Sequence, residues 1–334
     1  MAVIRRFGPR SQLVLRWLVT LIILGLVVYV LDIDSLLNQL GRIGAGTIVS
    51  CLVITLAQVG LSAWRWRYTS RRLGLRLGMV PAIREYYLAT FINQLLPGGV
   101  MGDVNRAWRQ SRDTEQKLAA ANAVVIERFS GQLVLVLIAA LLVAGFWPFS
   151  GPVPGTHQSG DNNGSLLLPG LLVATAVVAL AVWRKPLLRY LGHLGKDIRL
   201  ALLSWPAFGV QVVTSAIILA TYLAVFLLLA AGLNGEGVAM PADWRPLLAL
   251  CAGLLLAMSL PLTVAGWGVR EGVAILLWPM AGLPAEEGAV LSVAYGLLVL
   301  VSSLPGACAL LAGPFSVRRE RASGPDRTTY PSQD

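Results

Sequence analysis

Residues 118–147 read LAAANAVVIERFSGQLVLVLIAALLVAGFW, and this stretch decides the class of fold. The hydrocarbon core of a bilayer is about 30 Å thick, so about 20 consecutive apolar residues cross it as a helix. The stretch is longer than that, and its charged residues are the neighbours Glu127 and Arg128. It therefore predicts a transmembrane helix that carries a charged pair inside the membrane.

The composition of the whole chain agrees with this prediction. Of the 334 residues, 56% are hydrophobic and only 13% are charged, whereas soluble proteins have about 25% charged residues. An ordinary soluble protein is excluded, and an all-α polytopic membrane protein is predicted. In such a protein the net charge of +10 reports the orientation of the chain in the membrane. The sequence has no soluble module for nucleic-acid recognition, so we expect no nucleic-acid partner.

Metal and cofactor sites are not expected from the sequence. The cysteines Cys51, Cys251 and Cys308 each lie inside an apolar run, which is typical of small core residues. The histidines are His157 and His193, and neither they nor the cysteines have the spacing of a zinc or haem site.

Six apolar runs are long enough to be full spans, and the basic clusters between them set their direction. Because arginine and lysine favour cytoplasmic loops, we expect both termini in the cytoplasm. We expect a membrane domain over residues 1–315 and a polar tail over 316–334. The first run resembles a signal peptide, but no small-x-small cleavage site follows it, so we interpret it as a retained span. The predicted spans are 17–31, 45–63, 118–147, 166–183, 206–232 and 287–312.

Two further apolar stretches, 82–96 and 247–260, are too short to cross the bilayer and are followed by proline and glycine. They predict two re-entrant helical hairpins, one in each half of the chain, inserted from opposite faces. Transporters built from inverted repeats have this organisation, with a site near the midplane. An eight-span topology is the alternative.

The pair Glu127 and Arg128 is the strongest functional signal. A helix rises about 1.5 Å per residue, so Glu127 lies about 15 Å beyond Lys117, near the middle of the bilayer. Two uncompensated charges there would cost about 5 to 7 kcal/mol, so such residues line a polar cavity or form ion pairs. Neighbours on a helix point in different directions, so the two residues need different partners. A purely structural ion pair between helices is the alternative.

Each hairpin break supplies an arginine and a carboxylate. After Pro97 the glycines interrupt the helix, and Asp103 is placed to cap the next one. Arg106 follows Asp103 by about one helical turn. After Pro261 the same design recurs with Arg270 and Glu271. Free N–H groups at a helix start, together with an arginine, suit a phosphate. Kinked helices whose arginines only snorkel or cap are the alternative.

These residues form one hypothesis for the site. In the empty site each carboxylate pairs with an arginine, and in the filled site a lipid phosphate replaces the carboxylate as the partner of that arginine. The groupings are Arg106 with Asp103, Arg128 with Glu127 and Arg270 with Glu271. The candidate substrate-binding residues are Arg106, Arg128, Arg270, Asp103, Glu127, Glu271, Gly98, Gly99, Gly102, Gly266 and Gly268.

Polar side chains recur at helical spacing on two spans. Gln211, Thr214 and Tyr222 share a face of the fifth span, and Gln58 lies on a stripe of the second that ends at Arg65. They are candidates to line a cavity. The interpretation that we favour is contacts between membrane helices, worth about 0.6 kcal/mol each.

Catalytic motifs are not found: the sequence has no G-x-S-x-G elbow, no zinc motif, no P-loop lysine and no dinucleotide-binding glycine pattern. A transport-type protein is therefore favoured over an enzyme. The alternatives are a membrane-embedded transferase with Asp103, Glu127 or Glu271 as general base, and an accessory subunit of a lipid or glycolipid pathway.

Three motifs in order resemble a known family, the lysylphosphatidylglycerol synthase transmembrane region, also described as flippase-like. The motifs are Leu96-Pro97-Gly98-Gly99 with Gly102-Asp103 and Arg106, then Glu127-Arg128-Phe129, then Pro261 with Ala265-Gly266-Trp267-Gly268-Val269-Arg270-Glu271. The resemblance covers about residues 12–313, and the third motif is the most specific. The family commonly has two glycines before the aspartate, and Met101 here takes the place of the first.

The resemblance implies a multi-pass protein of a prokaryotic cytoplasmic (inner) membrane that moves anionic phospholipids or lipid-linked molecules between leaflets. Its partners would be membrane lipids, a second copy of the chain in a homodimer, and a lipid-synthesis enzyme. The aminoacyl-transferase domain of the bifunctional members does not follow the last predicted span, so the synthase activity is not expected here.

Overall fold

The computed structural model describes residue 25 and residues 33–311, with gaps at 97–98, 113, 147–193, 196, 236–243 and 260–262. The described residues are helical with short connecting turns, and the predicted all-α class is confirmed. The helices are α1 (Ile33–Gly41), α2 (Ala45–Arg72), α3 (Met79–Leu95), α4 (Met101–Arg112), α5 (Lys117–Phe146), α6 (Ala207–Leu233), α7 (Trp244–Met258), α8 (Val269–Leu277), α9 (Ala285–Ser303) and α10 (Pro305–Leu311), with a π-helical turn at Arg199–Leu203.

Among the described residues, four helices are long and apolar enough to cross a membrane. They correspond to the second, third, fifth and last predicted spans, which are confirmed as helices. Apart from residue 25, the first predicted span lies outside the described residues, and so do the fourth predicted span and the tail from 316. The four are Ala45–Arg72, Lys117–Gly145, Ala207–Leu233 and Ala285–Leu311.

One predicted boundary is wrong. The second span was expected to end at Ala63, with the arginines after it in a cytoplasmic loop, but α2 continues as a helix to Arg72. The polar part of this helix is stabilised by burial against its neighbours, since Arg65, Trp66 and Thr69 are all buried. Arg65 therefore belongs to a packed helix and not to a loop.

The first predicted hairpin is formed by α3 and α4. Helix α3 has 17 residues, about 25 Å, which is shorter than a bilayer core. The two helices run antiparallel in close contact: a Cβ atom placed on Gly102 would lie 1.9 Å from the carbonyl oxygen of Ala89. The Gly102 N–H also donates to Asn93 Oδ1 at 2.7 Å. The hairpin is thus tight with a single glycine before Asp103, and the side chain of Met101 is exposed.

The second hairpin is formed by α7, which has 15 residues, and α8. Gly266 and Gly268 in the break have φ angles of +80° and +86°, a region that glycine adopts without steric cost. Gly253 in α7 lies against the side chain of Leu277 at the end of α8. Both short stretches therefore form helical hairpins, and their insertion from opposite faces stays a prediction.

The two halves share one packing pattern. In the first half, α2, the hairpin α3–α4 and α5 pack in the same way as α6, the hairpin α7–α8 and α9 do in the second. Contacts between the halves are also equivalent: α5 packs on α6 and α7, and α9 packs on α2 and α3. The two halves therefore have equivalent packing, which is the pattern of an internal repeat.

The larger apolar core lies in the second half, between α6, α7 and α9, where the rings of Phe226 and Tyr295 stack at 4.0 Å. A smaller core in the first half joins α2, α3 and α5 around Trp66 and Tyr86. Charged side chains are buried beside this smaller core, since the Arg106 guanidinium lies over the rings of Trp66 and Tyr86.

Candidate functional site

Glu127 lies at the centre of the charged cluster in the first half. Its side chain is fully buried, and each carboxylate oxygen accepts a hydrogen bond from a different arginine. Arg65 of α2 donates to Oε1 at 2.6 Å, and Arg106 of α4 donates to Oε2 at 2.8 Å. The Tyr86 hydroxyl lies 3.4 Å from Oε1. Glu127 thus joins helices α2, α4 and α5 by ion pairs inside the protein.

Asp103 is the second carboxylate of this cluster. It accepts from Arg106 at 3.0 Å and from Arg128 at 2.8 Å. The predicted grouping of Arg128 with Glu127 is therefore wrong, because Glu127 pairs with Arg65 and Arg106 from other helices and Arg128 pairs with Asp103. The predicted grouping of Arg106 with Asp103 is confirmed, although Asp103 lies within the first turn of α4 and does not occupy its N-cap position.

Arg106 is held between two aromatic rings. Its guanidinium carbon lies 4.5 Å from the ring centroid of Trp66 and 4.6 Å from that of Tyr86. Such contacts stabilise a desolvated cation. They also fix the plane of the guanidinium, so that its position depends on α2 and α3 as well as on its ion pairs.

We call Arg65, Asp103, Arg106, Glu127 and Arg128 the arginine network. Three guanidinium groups face two carboxylates in it, so its net charge at neutral pH is +1. The neighbouring ion pair between Arg109 and Glu85, at 2.9 Å, is balanced and does not change this excess.

The network also has unused hydrogen-bond donors. Within the described residues, four of its buried nitrogen atoms have no hydrogen-bond partner: Arg65 Nε, Arg106 Nε and Nη1, and Arg128 Nε. A buried donor without an acceptor costs about 1 to 3 kcal/mol. Excess positive charge and unmet donors together make the network suited to an anion that has several oxygen atoms.

Arg128 is the most exposed member of the network. Its side chain is 42% exposed, whereas those of Arg106 and Glu127 are fully buried. Arg106 and Glu127 are therefore shielded from solvent, and Arg128 is the arginine of the network that reaches the surface.

The second half contains a smaller cluster, the Arg270 cluster, made of Arg270, Glu271 and Ser292. Arg270 donates to Glu271 Oε1 through Nη2 at 2.6 Å and to Ser292 Oγ through Nε at 2.7 Å. Glu271 Oε2 accepts the N–H of Gly268 at 2.6 Å, at the start of α8. The predicted grouping of Arg270 with Glu271 is confirmed. This cluster is buried, its charges balance, and both oxygens of Glu271 are used.

The glycines of the two motifs have structural roles in the described residues. Gly102 permits the close approach of α3 and α4, and Gly99, Gly266 and Gly268 adopt positive φ angles in the breaks. Gly98 lies outside the described residues. Gly296, which the sequence did not indicate, lets the Arg270 guanidinium lie against α9, since a Cβ there would be 2.2 Å from Arg270 Nη2.

The candidate cavity-lining residues have different environments. Gln211 donates to Thr69 at 2.7 Å and accepts from Ser130 at 3.1 Å, so it connects α6 to α2 and α5, as the favoured interpretation expects. The Thr214 hydroxyl donates to a carbonyl of its own helix. Tyr222 packs on the larger core, and Gln58 is buried in α2.

Sequence reasoning missed Arg65 as a member of the site. Its Nη1 also donates to Ser215 Oγ at 2.5 Å, so Arg65 connects Glu127 to α6. The signal was present, because Gln58, Ser62 and Arg65 recur at helical spacing. The predicted end of the span at Ala63 concealed it.

In the part of the chain that the structure describes, four helices long and apolar enough to cross a membrane, two short hairpins and buried arginine–carboxylate clusters define a multi-pass α-helical membrane protein. The family model of the lysylphosphatidylglycerol synthase TM region matches residues 13–306, and the chain belongs to this family. The match agrees with the extent of the resemblance, about 12–313. A search of curated proteins and a search of solved structures each returned no match. Membership of this family connects the chain to membrane lipids.

Proposed function

We propose that the chain is a lipid flippase, which moves an anionic phospholipid or lipid-linked molecule between the membrane leaflets. The observation that carries this proposal is the excess charge of the arginine network together with its unpartnered donors. Buried charges are normally paired, and an unbalanced group inside a membrane protein marks a substrate or ion pathway.

The headgroup phosphate first contacts Arg128, the exposed member of the network. Phosphate oxygens and the carboxylate of Asp103 then compete for the same guanidinium, because both are acceptors with similar geometry. Asp103 keeps its hydrogen bond to Arg106 at 3.0 Å, so the carboxylate stays paired when Arg128 turns to the phosphate. Release of the lipid restores the ion pair between Arg128 and Asp103.

The Arg270 cluster has a different part in this proposal. Its arginine is held by Glu271 and Ser292 with balanced charge, so it fixes the start of α8 and the position of the second hairpin. Contact with the phosphate is assigned to Arg128 and Arg106, and not to Arg270.

The experiment is a translocation assay in proteoliposomes. Tail-labelled phosphatidylglycerol is placed in both leaflets, the outer label is quenched chemically, and the movement of inner label outward is followed. We expect the wild-type protein to expose more label than protein-free vesicles do, and Arg128→Gln to reduce this rate by about tenfold or more, since one charge-assisted contact contributes about 1.5 to 3 kcal/mol.

Arg112→Gln is the matched control, because Arg112 lies on the exposed end of α4, over the ring of Trp108 and outside the network. It should translocate lipid like the wild type. Equal rates for Arg128→Gln and wild type would overturn the proposal, and lipids of altered mass in the vesicles would favour a transferase.

A further inference from the structure

The arginine network contains two carboxylates, and their number fixes its net charge. That charge in turn affects which phosphate groups the site can bind. Glu127 is fully buried and uses both oxygens on arginines, so it is a permanent member of the network. Asp103 is only about one-tenth exposed and is also shared by two arginines. Neither carboxylate is solvated enough to have its charge screened by water.

We infer that Glu127 and Asp103 are specificity-determining residues, which set the site to accept a phosphate group with one negative charge and to disfavour one with two. This inference rests on the proposed function. A phosphodiester carries a single negative charge and brings the network from +1 to zero. A phosphomonoester has a second pKa of about 6, carries close to two charges at pH 8, and would leave the filled site at −1.

The discrimination depends on burial. Inside the protein an uncompensated charge is expensive, because the surroundings have a low dielectric constant and water cannot compensate it. Glu127 cannot leave the network to lower that cost, since its partners Arg65 and Arg106 are buried in packed helices. The carboxylates therefore act by repulsion against the second charge, which is how specificity is commonly achieved.

Removal of one carboxylate reverses the expected preference. Glu127→Gln and Asp103→Asn keep the size of each side chain and raise the network from +1 to +2, which matches a dianion. The double variant Arg65→Gln with Glu127→Gln removes one charge of each sign and returns the network to +1. Arg65→Gln alone brings it to zero, and it should slow both lipids.

The test compares two tail-labelled probes at pH 8 in proteoliposomes, phosphatidylglycerol as the diester and phosphatidate as the monoester. The measured quantity is the ratio of their initial translocation rates. We expect the wild-type ratio to favour the diester by about tenfold or more, as one charge at close range inside a protein contributes over 1.4 kcal/mol. The ratio should fall below one, in favour of the monoester, in each single carboxylate variant and return to the wild-type value in the double variant.

Glu115→Gln is the control, since Glu115 is exposed between α4 and α5 and lies outside the network. Its ratio should equal that of the wild type. Size-exclusion profiles identify variants that fail to fold. Because the two carboxylates are replaced in separate variants, one variant that does not fold still leaves the other to test the inference. A double variant that keeps the low ratio of Glu127→Gln would also count against the inference.

The inference and the proposed function fail in different ways. If the wild type moves both probes at equal rates, or if the folded carboxylate variants keep the wild-type ratio, the inference is wrong and translocation stands. If no probe moves faster than in protein-free vesicles, the proposed function itself is wrong.

Discussion

Arg106 and Arg270 stand at matching places in the two hairpins but in different electrostatic settings. Arg106 belongs to a network with excess positive charge and has two unpartnered nitrogen atoms, whereas Arg270 is balanced by Glu271. The residues before each arginine match with the same spacing: Leu96, Pro97, Val100, Gly102 and Arg106 recur as Leu260, Pro261, Val264, Gly266 and Arg270. Two halves with a common pattern thus differ in their charge balance.

Close packing of the first hairpin depends on Gly102. In Gly102→Ala the new methyl group would overlap the carbonyl oxygen of Ala89, so α3 and α4 must separate. We expect a loss of about 1 to 3 kcal/mol in the free energy of unfolding, the usual cost of overpacking. Unfolding in mixed micelles, followed by tryptophan fluorescence, measures it. Gly60→Ala is the control, as a Cβ at Gly60 meets no atom within 4 Å, and an equal loss in both variants would contradict the packing argument.

The Arg270 cluster should behave as a structural ion pair. Arg270→Met leaves the buried Glu271 without its partner, which typically costs about 3 to 5 kcal/mol. The double variant Arg270→Met with Glu271→Gln removes both charges and keeps an acceptor for the Gly268 N–H, so it should be more stable than Arg270→Met alone. A double-mutant cycle on the free energy of unfolding gives the coupling. A double variant as unstable as the sum of the single ones would argue against this role.

Gln211 should contribute to stability and not to substrate selection. Gln211→Leu removes hydrogen bonds to Thr69 and Ser130 while keeping a similar volume. Each contact between membrane helices averages about 0.6 kcal/mol, so the expected loss is about 1 kcal/mol. The ratio of phosphatidylglycerol to phosphatidate translocation should stay at the wild-type value, and a changed ratio would place Gln211 in the site.

Much of the architecture followed from periodicity and length alone. The span at 118–147, the short stretches near Ala82 and Leu247 and the arginine–carboxylate motifs all predicted elements that the structure contains. Hydropathy could find these because a bilayer imposes a nearly fixed length on apolar helices.

The partners of the charged residues could not be predicted in the same way. Arg128 was grouped with its neighbour Glu127, but contacts between helices depend on rotation about each helix axis, which hydropathy does not give. Arg65 was placed in a loop because its surroundings are polar in sequence, although packing against α5 and α6 buries it. In both cases tertiary contacts decided the outcome.

Lipid binding at the arginine network is measured directly by native mass spectrometry of the purified protein with phosphatidylglycerol, comparing wild type, Arg128→Gln and Arg112→Gln. Binding of an anionic lipid at the arginine network predicts a retained lipid adduct in the wild type and in Arg112→Gln, and its loss in Arg128→Gln. The same adducts at the same lipid concentrations in all three proteins would contradict the binding of an anionic lipid at the arginine network.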